Sequence, residues 1–183
     1  EGDFVECGVW RGGNCILAAG VFTAPRKIYL FDTFEGMTEP TEVDHTTSGK
    51  ISAKEKFDQK MQDGGGGWCY SSLDEVKGNF AKAGLLSDRV NFVKGDVLKT
   101  LEDENNLPEK IAVLRLDTDW YESTRKEMEV LYPRLSIGGI IMIDDYGHWA
   151  GSKKAVDEYF ERHGGRPFLQ YIDRTGRIGI KTQ

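Results

Sequence analysis

The sequence predicts an α/β fold built on a doubly wound, mostly parallel sheet. Short apolar runs alternate with amphipathic stretches along the 183 residues, which is the pattern of strands joined by helices. The runs 111–116 and 139–143 are almost continuously apolar, as expected of strands that are buried on both faces. Two short strands flank a turn sequence near the C-terminus, so the sheet is expected to end in a hairpin.

Seven strands are predicted in total. They cover Phe4–Cys7, Lys27–Phe31, Val90–Lys94, Ile111–Leu116, Gly139–Ile143, Phe168–Ile172 and Arg177–Lys181. Asp173–Gly176 forms the last turn, where glycine supplies a positive φ. A dinucleotide-binding domain normally stays parallel through its sixth strand, whereas the Rossmann-like methyltransferase sheet inserts its seventh strand antiparallel. The hairpin therefore favours the seven-stranded methyltransferase variant of the doubly wound sheet.

Three helices have clear signals. Ser72 and Glu75 form a capping box that begins a helix ending near Ala83, before Gly84. A second helix is predicted from a stripe of residues at helical spacing, namely Tyr121, Thr124, Met128, Leu131 and Leu135. Ser152 is expected to cap a third helix. The residues of that helix that are predicted to face inward are Ala155, Val156, Tyr159 and Phe160.

The composition is that of one domain spanning residues 1–183, long enough to bury a core. The net charge of −6 disfavours nucleic-acid and anionic membrane partners, and no apolar run reaches the roughly 20 residues of a spanning helix. Cys7, Cys15 and Cys69 are odd in number and lack a Cys-x-x-Cys spacing, so we expect reduced thiols and a cytoplasmic location. A strand pattern begins at Phe4 without a signal peptide, so we also expect a missing N-terminal helical segment.

A long polar stretch over residues 34–71 follows the second strand. It includes Gly64–Gly67, and four consecutive glycines cost too much backbone entropy for regular structure. A connection of this length in a compact domain is typical of a lid or binding loop. We predict a lid-like insertion loop, with a disordered insertion as the alternative.

The first strand leads into a glycine-rich turn that contains an acid. Glu6, Gly8 and Gly12 replace the Gly-x-Gly-x-x-Gly of dinucleotide binders. A carboxylate repels a pyrophosphate, whereas S-adenosylmethionine lacks phosphate and carries an ammonium group that Glu6 can bind. Gly8 is expected to let the backbone approach the methionyl group of that cofactor. Asn14, at the start of the following helix, is assigned to the same site.

Two further acids follow strands. Asp32 ends the second strand about 20 residues after the glycine turn, where an acid accepts hydrogen bonds from ribose hydroxyls. A turn or cap aspartate is the alternative. Asp96 follows the third strand and is predicted to accept from the adenine amine, although Gly-Asp after a strand is also common turn chemistry.

Acids also cluster directly after the fourth and fifth strands. Asp117, Asp144 and Asp145 are expected to converge there, because ligands bind beyond the carboxyl ends of parallel strands. Crowded carboxylates repel one another, and a hard divalent cation such as Mg²⁺ or Ca²⁺ removes the repulsion. Such an ion lowers the pKa of a bound hydroxyl, so we predict methyl transfer to a hydroxyl group with a neighbouring aspartate taking the proton. Asp119 is expected to cap the following helix rather than bind metal.

These segments together resemble the macrocin O-methyltransferase family, whose members methylate sugar hydroxyls in antibiotic biosynthesis. The matching stretches are 5–13, 31–37, 113–124 and 144–146, within a likeness that spans nearly the whole chain. The resemblance implies Mg²⁺ at Asp117, Asp144 and Asp145, with Asp117 also the candidate general base. It implies that Asp32 and Thr33 contact the cofactor, that the substrate is a small hydroxylated molecule such as a glycoside, and that the protein forms homo-oligomers.

Two alternatives stay open. An NAD-dependent oxidoreductase has a similar sheet, but the Glu6-x-Gly8 turn and the terminal hairpin count against it. A cofactor-binding domain that has lost catalysis is the non-enzymatic alternative, and the presence of every expected acid counts against that.

Overall fold

The computed structural model describes residues 1–22, 25–62 and 67–183, and a seven-stranded sheet runs through them. Its strands are β1 (Asp3–Cys7), β2 (Ile28–Asp32), β3 (Val90–Lys94), β4 (Ile111–Leu116), β5 (Leu135–Ile143), β6 (Gln170–Tyr171) and β7 (Arg177–Ile180). The order across the sheet is β3-β2-β1-β4-β5-β7-β6. Strands β1 to β5 pair with one another in parallel, and β7 lies antiparallel between β5 and β6. The predicted fold class is confirmed.

Six α-helices connect and cover the strands in the described ranges. They are α1 (Gly13–Val21), α2 (Ala53–Gln62), α3 (Leu73–Lys82), α4 (Val97–Thr100), α5 (Tyr121–Val130) and α6 (Ala150–His163). None of these helices is both long enough and apolar enough to cross a bilayer. Short 3₁₀ turns lie at Glu104–Asn106 and Tyr132–Arg134.

The N-cap predicted for α3 is confirmed, and the N-cap predicted for α6 is not. The Ser72 side chain accepts from the Glu75 N–H at 3.2 Å and caps α3 as expected, while the Glu75 carboxylate binds the Ser71 hydroxyl. The prediction that Ser152 caps α6 is wrong. The helix begins at Ala150, and Ser152 is already buried in its first turn.

The sheet separates two apolar cores because side chains alternate along a strand. Val5, Cys7, Leu114 and Leu116 pack with residues of α4, α5 and α6 on one face. On the other face, α1 and α3 pack against a set that includes Phe4, Ile28, Leu30 and Val113. Glu6 and Arg115 have the parity of this second set and are direct partners in the β1–β4 register. Two opposite charges therefore lie side by side within an apolar layer.

The polar stretch over residues 34–71 carries α2 and is bonded to the loops that follow β4 and β5. The buried Asp44 accepts a hydrogen bond from the Tyr121 N–H at 2.8 Å, at the start of α5. The Ala150 N–H donates to the carbonyl of His45, also at 2.8 Å. The prediction that this stretch is a lid stays a prediction. Of the four-glycine run, Gly64–Gly66 lie outside the described residues.

Candidate functional site

A cleft opens beyond the carboxyl ends of β1, β2, β3 and β4. Its empty volume, which includes space open to solvent, is about 760 Å³. β1 and β4 are the neighbours at which the strand order reverses, and ligands bind at this switch point in open α/β sheets. The lining includes Gly8, Trp10, Asp32, Thr33, Asp96 and residues 117–119. Four of the residues predicted to bind the cofactor thus share one cleft.

Glu6 and Asn14 were predicted for the same cofactor but are not among the residues that line the cleft. Glu6 is 1% exposed, and its Oε1 accepts from Asn14 Nδ2 at 3.1 Å and from Arg115 Nη1 at 2.8 Å. Its Oε2 accepts from Cys15 Sγ at 2.7 Å. Burial raises the pKa of Glu6, and Arg115 opposes that rise. Both oxygens therefore hold α1 and β4 against β1, and contact with an ammonium group stays a prediction.

Asp32 faces the cleft and also holds the glycine turn. Its Oδ2 accepts from the Val9 N–H at 2.7 Å and from the Trp10 N–H at 3.2 Å. Its Oδ1 accepts from the Phe34 N–H at 2.7 Å, which is turn chemistry. Trp10 has a positive φ of 46° and an exposed side chain, so Asp32 fixes the backbone that presents this ring to the cleft.

Asp96 and Thr33 are likewise tied to their own turns. Asp96 caps the short helix α4, accepting from the Leu98 N–H at 2.9 Å. The Thr33 hydroxyl donates to the carbonyl of Gly36 at 2.6 Å. Both residues line the cleft, and their predicted contacts with a cofactor stay predictions.

Gly8 is required by the packing of β1 against the end of β4. Its φ is +78°, and a Cβ placed there would lie 2.0 Å from the carbonyl oxygen of Asp117. The sequence-based reason for this glycine was close approach to the methionyl group. The structure shows a second close approach, to the backbone that carries a candidate catalytic acid.

Replacing Gly8 with alanine should lower the free energy of unfolding by about 3 kcal/mol or more, because a positive φ and a backbone clash are combined. Gly13→Ala is the matched control. No heavy atom lies within 4 Å of a Cβ at Gly13, so we expect a change below about 1 kcal/mol. Urea unfolding of the two variants measures the difference, and equal midpoints would contradict the packing role of Gly8.

Asp117, Asp119 and Asp145 form an acid trio, with one carboxylate oxygen from each within 4.8 Å of the others. The prediction that Asp119 caps α5 is wrong. Trp120 is the N-cap residue without a side-chain bond, and Asp44 accepts from the first helical N–H instead. Asp119 has a left-handed φ of 68°, which turns its side chain inward, where it accepts from Trp149 Nε1 at 3.1 Å.

Arg115 is a site residue that the sequence reasoning missed. Its guanidinium donates to Glu6, to Asp117 Oδ2 at 2.5 Å and to Asp144 Oδ1 at 2.5 Å. Asp117 is two residues after Arg115, and Asp144 is two residues after Met142, the register partner of Arg115. All three side chains therefore point to the same face. Asp144 is bound to Arg115 and is not a member of the trio, so its predicted role as a metal ligand stays a prediction.

A signal for Arg115 was present in the sequence. An arginine within a strand that is otherwise apolar has to be buried with a partner, since unpaired buried charges are very costly. The period of two along β4 then identifies Asp117 as one partner.

The pKa values of all three acids in the trio are raised well above the ordinary aspartate value. Burial, the largest cause in each case, raises the pKa of Asp117 to about 8, of Asp119 to about 7 and of Asp145 to about 9. Neighbouring acids raise these values further, while Arg115 opposes the shift at Asp117. Carboxylates this close do not all ionise without a counter-charge. A hard divalent cation, which prefers oxygen ligands, fits this set of donors.

Three tryptophans form a cluster beside the acid trio. Trp120, Trp149 and Trp68 contact one another edge to face, with ring centroids 5.2 to 6.1 Å apart. Lys56 of α2 places its ammonium group 4.4 Å from the centroid of the Trp68 ring. This cluster joins the 34–71 stretch to the trio through Trp149 and excludes water from one side of Asp119.

Comparison with known proteins gives a consistent match. The sequence model of the family described as "Macrocin-O-methyltransferase (TylF)" matches residues 1–178. The chain is 37% identical over 182 residues to a mycinamicin III 3''-O-methyltransferase of Micromonospora griseorubida, covering 96% of this chain and 66% of that protein. It is 35% identical over 189 residues to a demethyldecarbamoylnovobiocin O-methyltransferase of Streptomyces niveus, covering 100% and 67%. The chain thus spans about two thirds of the length of these relatives.

Solved structures share the fold. The structure of the O-methyltransferase NovP superimposes with a TM-score of 0.85 at 34% identity, covering 100% of this chain and 73% of that one. The calicheamicin methyltransferase CalS11 has a TM-score of 0.66 at 20% identity, covering 98% and 72%, and supports the fold alone.

Proposed function

Because the chain belongs to the macrocin O-methyltransferase family, we propose that it transfers a methyl group from S-adenosylmethionine to a hydroxyl group of a sugar or similar small molecule. The relatives named above are O-methyltransferases, one named for mycinamicin III and the other for demethyldecarbamoylnovobiocin. The observation that carries the proposal is the position of the acid trio. Two of its members, Asp117 and Asp119, line the same cleft as the predicted cofactor residues.

The cofactor is proposed to bind along the cleft residues Gly8, Asp32, Thr33 and Asp96. Bound S-adenosylmethionine supplies an electrophilic methyl group on a positively charged sulfur. The cleft suits that charge, since several of its polar walls are carboxylates and the phosphate-binding pattern of dinucleotide sites is absent from the described turn.

A divalent cation such as Mg²⁺ is proposed to bind Asp117, Asp119 and Asp145. The donor chemistry and the raised pKa values of the trio support it. When bound, such a cation lowers the pKa of a coordinated hydroxyl group. The set predicted from the sequence shares Asp117 and Asp145 with this trio and has Asp144 as its third member.

Asp117 is proposed to act as the general base. Its carboxylate takes the proton as the O–H bond of the acceptor breaks, the oxygen bonds to the methyl carbon, and the carbon–sulfur bond breaks to leave S-adenosylhomocysteine. An aspartate carboxylate held beside the acceptor hydroxyl is a suitable general base. Arg115 orients Asp117 from behind, and orientation supplies much of the rate in such an in-line displacement.

Calorimetry with S-adenosylhomocysteine and, separately, with NADH tests the proposal. We expect saturable binding of S-adenosylhomocysteine and none of NADH, because the turn offers an acid where a pyrophosphate needs free N–H groups. Binding of NADH alone would contradict the methyltransferase and favour the oxidoreductase. Binding of S-adenosylhomocysteine without turnover of any glycoside would favour a domain that has lost catalysis.

A further inference from the structure

Glu127 of α5 is a fully buried acid that the proposed reaction does not use. Its Oε1 accepts a hydrogen bond from the Thr118 hydroxyl at 2.8 Å. The thiol of Cys7, a weak donor, also approaches this carboxyl, but Oε2 makes no ordinary hydrogen bond with any described residue. Burial raises the pKa of Glu127 to about 8. An under-satisfied acid inside an apolar core is costly, and such violations are concentrated at functional sites.

Thr118 lies between two members of the acid trio and forms hydrogen bonds with three residues, one of which is Glu127. The carbonyl of Thr118 accepts from the Trp120 N–H at 2.8 Å and from the Ser123 hydroxyl at 3.4 Å. The hydroxyl bond to Glu127 fixes the side chain on the core side of the loop. Asp119, the next residue, has a left-handed backbone that non-glycine residues adopt only where their surroundings hold them.

We propose that Glu127 is a positioning residue that, through Thr118, holds the 117–119 loop in the conformation that brings Asp117 and Asp119 together for a divalent cation. The proposal rests on the cation site of the proposed function. Glu127 is not among the residues that line the cleft and is not proposed to touch the cofactor or the acceptor. It acts by fixing the positions of the Asp117 and Asp119 carboxylates. Hydrogen bonds that orient metal ligands affect metal affinity in the same way.

The test measures Mn²⁺ affinity by electron paramagnetic resonance, with S-adenosylhomocysteine affinity measured in parallel. Thr118→Val and Glu127→Leu each remove the hydrogen bond at similar side-chain size, and each should weaken Mn²⁺ binding by about 10- to 100-fold. Affinity for S-adenosylhomocysteine should not change in Glu127→Leu, because Glu127 does not line the cleft. Glu127→Gln keeps an acceptor for the Thr118 hydroxyl and should retain most of the Mn²⁺ affinity. Glu129→Gln, two residues further along the same helix, is the control and should match the wild type.

A double variant separates this role from a general loss of stability. If the two residues act through one bond, Thr118→Val combined with Glu127→Leu should weaken Mn²⁺ binding no more than either change alone. Wild-type affinity in both single variants would overturn the inference, as would a loss in Glu127→Gln equal to that in Glu127→Leu. If Glu127→Leu does not fold, Thr118→Val decides alone. A wild-type protein that binds no Mn²⁺ would instead refute the cation site itself.

Discussion

Replacing Asp117 with asparagine should remove most methyl transfer, lowering kcat by about 10²- to 10⁴-fold, and should leave S-adenosylhomocysteine affinity close to that of the wild type. The amide cannot take the proton of the acceptor hydroxyl, and loss of a positioned base has an effect of this size. The shape of the side chain is kept, and Arg115 retains Glu6 and Asp144 as partners. The cofactor product, which has lost the sulfonium charge, should therefore still bind in its cleft.

Asp88→Asn is the matched control, because Asp88 is an exposed acid outside the cleft lining. Its kcat should equal that of the wild type. Turnover is measured with a glycoside acceptor, by following formation of S-adenosylhomocysteine. An Asp117→Asn variant that keeps wild-type kcat would show that another group accepts the proton.

Much of the fold follows from the sequence because strand burial leaves a strong local pattern. β3 and β4 were predicted at their observed bounds, Val90–Lys94 and Ile111–Leu116. β5 begins at Leu135 rather than at the predicted Gly139. The first part of this strand contains an exposed isoleucine and Gly138 with a positive φ, and the β4–β5 register shifts there. Residues 135–138 resemble a turn in composition, and these four residues of β5 were therefore not predicted as strand.

The residues of the candidate site that lie at strand ends could be predicted from the sequence. Gly8, Asp32 and Asp117 were correctly expected at strand ends and line one cleft, because Asp32 ends β2 and the other two directly follow a strand. The position of Asp119 was not predicted, because its side chain points inward only through a left-handed backbone conformation that has no clear signal in the sequence. Glu127 was missed for a related reason. Its only polar partner in the loop is a hydroxyl nine residues away, brought close by the packing of α5.

The stability of the protein should depend on pH through the acid trio, and Mg²⁺ should oppose that dependence. In the folded protein the pKa values are raised to about 7, 8 and 9, above the ordinary aspartate value of 3.8. Between these limits the folded state holds more protons than the unfolded state, so the free energy of unfolding falls as pH rises from about 4 to about 9. A bound cation replaces those protons, and its stabilising effect should therefore increase with pH.

Thermal unfolding with and without Mg²⁺, at about pH 6 and about pH 9, measures this effect. At a concentration 100-fold above its Kd, the ion should raise Tm at the higher pH by about 5–10 °C, and by less at the lower pH, where it competes with protons. Asp119→Asn should remove the difference between the two pH values, whereas Asp144→Asn, whose partner is Arg115, should keep it. The opposite result for this pair of variants would replace Asp119 with Asp144 as the third ligand. An unchanged wild-type Tm at both pH values would mean that the trio is balanced by protons and not by a cation.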